Sequence, residues 1–154
     1  MPSVLFICMA NICRSPLAET LFRDMVSDEP EEWIVESAGT WALVGEPAAQ
    51  KSQQVLEERG LDASDHRARS VSLDLLNAFN LILTMEKGQK EALQVEFPGI
   101  SERVYTVSEM VGDDFDIRDP IGGPLVDFQA TADELERILK EGYSKITQLA
   151  KESD

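Results

Sequence analysis

Histidine and cysteine are scarce in this chain, which has one His and two Cys among 154 residues. Neither a Cys₂His₂ nor a Cys₄ zinc site can be assembled from that set, so no metal is expected, and no cofactor motif is present. The opening "MPSVLFICMA" lacks the basic stretch and small-residue cleavage site of an export signal, so the expected location is the cytoplasm. Two cysteines in a reducing compartment read as thiols rather than as a structural disulfide. Long hydrophobic runs are missing too. Nothing approaches the roughly 20 apolar residues that cross a bilayer. Positive charge is the third shortage, with 14 Lys and Arg against 29 Asp and Glu, a net charge of −15. A nucleic-acid binder needs a basic stripe that releases counterions from phosphates, and an anionic membrane needs a polybasic segment. Neither partner is therefore expected, and the acidity reads as a solvated surface. Any anion site must be built locally.

What is present is a chain of one-domain length, 43% hydrophobic, without repeats, low-complexity runs or a linker. One domain over 1–154 is expected. Residues 4 to 7, "VLFI", form an uninterrupted apolar run of the kind buried on both faces of a parallel sheet. Ser15 followed by Pro16 reads as N-cap and first helical position, and Leu17, Ala18, Leu21, Phe22 and Met25 give the following helix its apolar face. "WIVESAGT" (33–40) reads as a second strand, 47–58 as a helix closed by Gly60, and 72–79 as a further helical stretch. "LILTM" (81–85) is a buried strand, and 87–95 a helix stopped before Pro98. "RVYTVSEM" (103–110) is a fourth strand. A Gly/Pro-rich acidic loop, 112–124, precedes one long final helix marked by apolar residues from Phe128 to Leu149. Alternation of strand and helix implies an open, mostly parallel α/β sheet, whose ligands bind beyond the carboxyl ends of the strands. Cys8 stands at such an end.

The stretch "CMANICRSP" places both cysteines in the turn between the first strand and its helix. A short loop entering a helix points several backbone N–H groups at one spot, where the helix dipole adds positive potential. Arg14 can grip two oxygens of a tetrahedral oxyanion there with its planar fork. The same field favours the thiolate of Cys8, the nucleophilic form. Cys-x5-Arg-Ser therefore encloses a phosphate while setting a nucleophile beneath its phosphorus. For Cys13 two readings stand side by side: a small buried hydrophobe, or a thiol that traps oxidised Cys8 as a disulfide.

With "SAGT" (37–40), "HRAR" (66–69) and "DP" (119–120) following in order, the whole chain resembles the low-molecular-weight protein tyrosine phosphatases. The resemblance implies that Met9, Ala10, Asn11, Ile12, Cys13, Arg14 and Ser15 form a phosphate-binding loop. It implies that Cys8 becomes a phosphocysteine, that Arg14 holds the phosphoryl oxygens, and that Asp119 protonates the leaving group. Asn11 would adopt a left-handed backbone conformation, Ser15 would donate to the Cys8 sulfur, and Ser37 and His66 would orient Asn11. Trp41, Ile12 and Ile121 would line the substrate cleft. The implied architecture is a flavodoxin-like three-layer fold, four parallel strands in the order 2-1-3-4 with helices on both faces. The implied partners are phosphotyrosine-containing proteins, with phosphate and other oxyanions as inhibitors.

Two departures from the family pattern bear on substrate choice. Ala10 stands where a Gly is usual, and Ile121-Gly122-Gly123 follows Asp119-Pro120 where vertebrate members often carry aromatics. The arginine phosphatases of the family, an alternative activity, carry Thr at the position of Ile12, which offers bulk and no hydroxyl. Phosphotyrosine is accordingly preferred. Thioredoxin-coupled arsenate reductases, a redox alternative on a similar loop, need further cysteines downstream, and none follows Cys13.

Overall fold

The computed structural model describes residues 1–151, and the last three residues of the expected domain lie outside the described residues. Strands β1 (Ser3–Cys8), β2 (Ile34–Gly39), β3 (Leu81–Thr84) and β4 (Val104–Thr106) form one parallel sheet in the order β2-β1-β3-β4, as expected. The helices are α1 (Arg14–Met25), α2 (Gln50–Glu58), α3 (Leu73–Asn77), α4 (Lys87–Glu96), α5 (Leu125–Glu141) and α6 (Tyr143–Lys151).

The period of two along β1 divides the core. Val4, Phe6 and Cys8 point into a cluster with Leu17 and Phe22 of α1, Val55 and Leu56 of α2, Leu135 of α5 and Ile146 of α6. Leu5 and Ile7 point the other way, against Leu76 of α3 and Leu93 of α4. Covering both faces is what makes "VLFI" apolar throughout, and every residue of β1 is buried. Among the described residues no helix is long and apolar enough to cross a membrane.

Three expectations are corrected. Helix α1 starts at Arg14 with Cys13 as its N-cap, so Ser15 does not cap it. Pro16 then lies in the first turn, where its missing N–H has no partner to lose. The stretch 103–110 keeps only three strand residues. Thr106 Oγ1 accepts from Glu109 N at 3.3 Å and turns the remainder into a 3₁₀ turn, Val107–Val111. The final helix is two helices, broken at Gly142, where a Cβ would lie 2.8 Å from Met110 Cβ and 2.9 Å from the Ile138 carbonyl. Close packing of that corner against the 3₁₀ turn, rather than a left-handed backbone, demands glycine there.

Candidate active site

The loop after β1 is held from outside by its carbonyls. Cys8 O accepts from Thr40 N (3.0 Å), Met9 O from Trp41 N (2.9 Å) and Ala10 O from Leu43 N (3.1 Å). Asn11 O contacts His66 Nε2 at 2.7 Å, and Ile12 O accepts from Ala49 N at 2.7 Å. Cys13 O accepts from Leu17 N and from Ser52 Oγ, each at 3.4 Å. In a planar trans peptide the N–H points opposite to its carbonyl. Six successive carbonyls turned outward therefore turn the following amides inward, and the loop becomes a concave ring of donors. Gly39 permits this closeness: a Cβ there would stand 2.4 Å from Met9 O and 3.1 Å from Asn11 Cβ.

Asn11 is the knot of the ring. Its φ is 62°, and it is the one non-glycine with positive φ among the described residues, a conformation Asn tolerates better than most. Its Nδ2 donates to Ser15 Oγ (2.8 Å) and Ser37 Oγ (2.9 Å), and its Oδ1 accepts from Arg69 N (3.0 Å). The Asn11 carbonyl can only accept, so His66 carries its proton on Nε2 and donates. Ser37 Oγ in turn donates to Glu19 Oε1 at 2.5 Å. Ser15 Oγ, already accepting from Asn11, lies 2.9 Å from Cys8 Sγ, which leaves its hydroxyl proton for the sulfur. Both Asn11 and Ser15 are fully buried, so each unmade bond would cost about 1–3 kcal/mol.

Arg14 is only 1% exposed, and a guanidinium that deep must be paired. Its Nη1 donates to Glu86 Oε2 at 2.5 Å and to the Ile117 carbonyl at 2.7 Å. Its Nη2 lies 3.6 Å from Asp119 Oδ2, and its buried Nε has no acceptor among the described residues. Protein groups thus clamp one nitrogen, and the Nε–Nη2 edge remains for bidentate contact with an oxyanion. Asp119, partly exposed, also accepts from Ile121 N through Oδ1 at 3.1 Å, which fixes the carboxyl at the turn.

Cys13 is buried beside this centre. Burial foremost, then the charges of Asp119 and Cys8, push its thiol pKa up to about 12, against the lowering effect of Arg14 and Ser52. Both cysteines are free thiols. Ala10 and Ile12 are half-buried, whereas Met9, Trp41 and Ile121 are exposed, Trp41 by 80%. Sequence reasoning did not single out Glu86, Glu19, Arg69, Gly39 or the Ile117 carbonyl. Arg69 and Gly39 lie inside "HRAR" and "SAGT", and Glu86 sits at the carboxyl end of β3, the same sheet edge as Cys8. An acid at that edge was the available signal.

The model of the family described as low molecular weight phosphotyrosine protein phosphatase matches residues 3–153. The chain belongs to that family. Among its relatives, a protein-arginine-phosphatase of Geobacillus stearothermophilus is 34% identical over 93% of this chain and 95% of its own. A probable low molecular weight protein-tyrosine-phosphatase of Ralstonia nicotianae is 35% identical over 88% of this chain and 89% of its own. The crystal structure of a low molecular weight protein tyrosine phosphatase from T. tengcongensis superposes with a TM-score of 0.90 at 36% identity, covering 94% of this chain and 99% of that one.

Proposed function

We propose that this chain hydrolyses phosphotyrosine on proteins through a phosphocysteine formed on Cys8. The observation that carries the reading is the donor ring closed by the outward carbonyls of residues 8–13, with the free Nε–Nη2 edge of Arg14 beside it. Phosphoryl transfer asks a protein mainly for positioning and charge stabilisation, and this ring with one guanidinium supplies both. The Cys8 thiolate attacks phosphorus, the P–O bond to the phenol breaks, and Asp119 delivers its proton to the departing oxygen. Asp119, now a carboxylate, takes a proton from the water that attacks the phosphocysteine, and phosphate and thiolate are released. Asn11, Ser15, Ser37 and His66 hold the ring in shape, and Met9 to Ser15 contribute its amides.

Phosphotyrosine is favoured because the rim is apolar: Ile12, Trp41 and Ile121 offer contact to an aromatic ring and no hydroxyl to a phosphoguanidinium. Both cysteines being free thiols fits work in the cytoplasm. The test is a turnover panel of phosphotyrosine, phosphoserine and phosphoarginine peptides with wild type and Cys8→Ser. Wild type should prefer phosphotyrosine, and Cys8→Ser should lose turnover while still binding vanadate. Preference for phosphoarginine would assign the chain to the activity of its Geobacillus relative, and turnover retained by Cys8→Ser would remove the nucleophile.

A further inference from the structure

A shallow groove of about 220 Å³ opens beside the phosphate loop, lined by Met9, Thr40, Glu86, Gly88, Gln89 and Ala92. It lies where the carboxyl ends of β1, β2 and β3 come together, with the first turns of α4 as one wall. Gly88 and Ala92 stand four residues apart on one face of α4, and their small size leaves the groove open. Met9, about half exposed, lines the groove and directly follows Cys8 in the chain.

The Gln89 and Glu86 side chains that line the groove are already engaged, and Thr40 adds one hydroxyl. Gln89 Oε1 accepts from Met85 N and Glu86 N, each at 3.1 Å, and its Nε2 donates to Glu86 Oε2 at 3.5 Å. The Glu86 side chain accepts from the Gln89 backbone and, through the same Oε2, holds Arg14 at 2.5 Å. What the groove presents is therefore mostly the Met9 side chain, the Ala92 methyl, the Gly88 backbone and the aliphatic stems of the engaged residues. Its volume is below the several hundred Å³ typical of a small-molecule pocket and suits one side chain.

Resting on the phosphatase reading, we propose that this groove is a substrate subsite, and that it takes an apolar side chain such as Leu or Met flanking the phosphorylated residue. Continuity with the phosphate loop argues for this occupant. Met9 and Glu86 belong to both surfaces, so a peptide whose phosphorylated side chain enters the loop must pass its neighbouring residues over the groove. A charged flanking residue finds there only the Thr40 hydroxyl and a carboxylate already held by Arg14, whereas an apolar one removes its own surface and that of Met9 from water.

Gly88 provides the test, because a Cβ added there meets nothing within 4 Å and the position is exposed. Gly88→Leu should fill the groove without straining the helix. Catalytic efficiency is measured on p-nitrophenyl phosphate and on two phosphotyrosine peptides identical except for Leu or Ser beside the phosphotyrosine, the flanking side being varied in turn. Wild type should favour the Leu peptide by about 5- to 20-fold on one side, the range a single apolar contact gives. Gly88→Leu should lose that preference while p-nitrophenyl phosphate turnover stays within about two-fold, and Ala92→Leu should behave alike. No preference in wild type on either side, or a preference undiminished in both variants, would overturn the subsite. Absence of p-nitrophenyl phosphate turnover in wild type would instead strike the phosphatase reading itself, and the subsite with it.

Discussion

At the scale of single residues, the site separates tasks among groups that look alike. Two thiols stand in one loop, yet Cys8 lies 2.9 Å from the Ser15 hydroxyl, while burial pushes the Cys13 thiol pKa up to about 12. At pH 8 such a thiol is ionised to only about one part in 10⁴, and thiolate is the form that alkylates. Iodoacetamide should therefore modify Cys8 and spare Cys13, and inorganic phosphate should protect Cys8. Peptide mass mapping reads both, and early labelling of Cys13 would break the division of labour. Two carboxylates likewise approach Arg14, Glu86 at 2.5 Å on Nη1 and Asp119 at 3.6 Å on Nη2. Glu86 clamps the guanidinium, and Asp119, on the looser side, is the acid of the proposed mechanism. Asp119→Ala should slow phosphotyrosine cleavage by about 10²- to 10⁴-fold, the usual contribution of a general acid, and p-nitrophenyl phosphate cleavage far less. A p-nitrophenolate is a much better leaving group and needs the proton less. Equal slowing of both substrates, in chemical-step rates near pH 6, would remove Asp119 from the acid role and turn attention to the other aspartates of the 112–124 loop, Asp113, Asp114 and Asp116.

At the scale of elements, the loop owes its shape to segments distant in sequence, chiefly the turn after β2 and the stretch 66–69. Gly39 is where β2 presses on the loop. Gly39→Ala would drive a methyl to 2.4 Å from Met9 O, a separation that real Cβ atoms do not hold. Either the loop or the strand must move, and overpacking of this kind costs about 1–3 kcal/mol. The variant should unfold at lower denaturant and lose at least about ten-fold in phosphate affinity, because the displaced carbonyl reorients an amide of the ring. Unchanged phosphate binding would mean that the ring tolerates the shift. The same dependence explains what was legible in the sequence. The alternating strands and helices follow from local apolar periodicity and the Cys8–Arg14 pair from its spacing, whereas the strand order and Asp119 came through the family resemblance of short motifs. Ser15 was misread as an N-cap because its sequence neighbour Pro16 suggests one, whereas its bonds run to Cys8 and Asn11. The break at Gly142 was invisible because its cause, Met110, lies 32 positions earlier and meets it only after folding. Glu86 escaped notice for the same reason, its partner Arg14 being 72 residues away.

At the scale of the whole molecule, a net charge of −15 surrounds a site built to bind an anion. The ring and Arg14 act at contact distance, where solvent screens little, but the approach of a phosphorylated protein runs through the field of the entire surface. That field disfavours acidic substrates and draws in basic ones. Two phosphotyrosine peptides carrying lysines or glutamates several residues from the phosphotyrosine should therefore differ in catalytic efficiency by several-fold in about 0.01 M salt, the lysine peptide being better. The screening length falls from about 30 Å at that ionic strength to about 10 Å at 0.1 M, so the ratio should shrink toward one by about 0.3 M. Competition by salt anions for the phosphate loop affects both peptides equally and cancels in the ratio, which makes the ratio the quantity to follow. A preference that persists unchanged across the salt series would place the discrimination in specific contacts rather than in the field of the whole surface. A preference for the glutamate peptide at low salt would show that a local positive patch, not the net charge, governs approach.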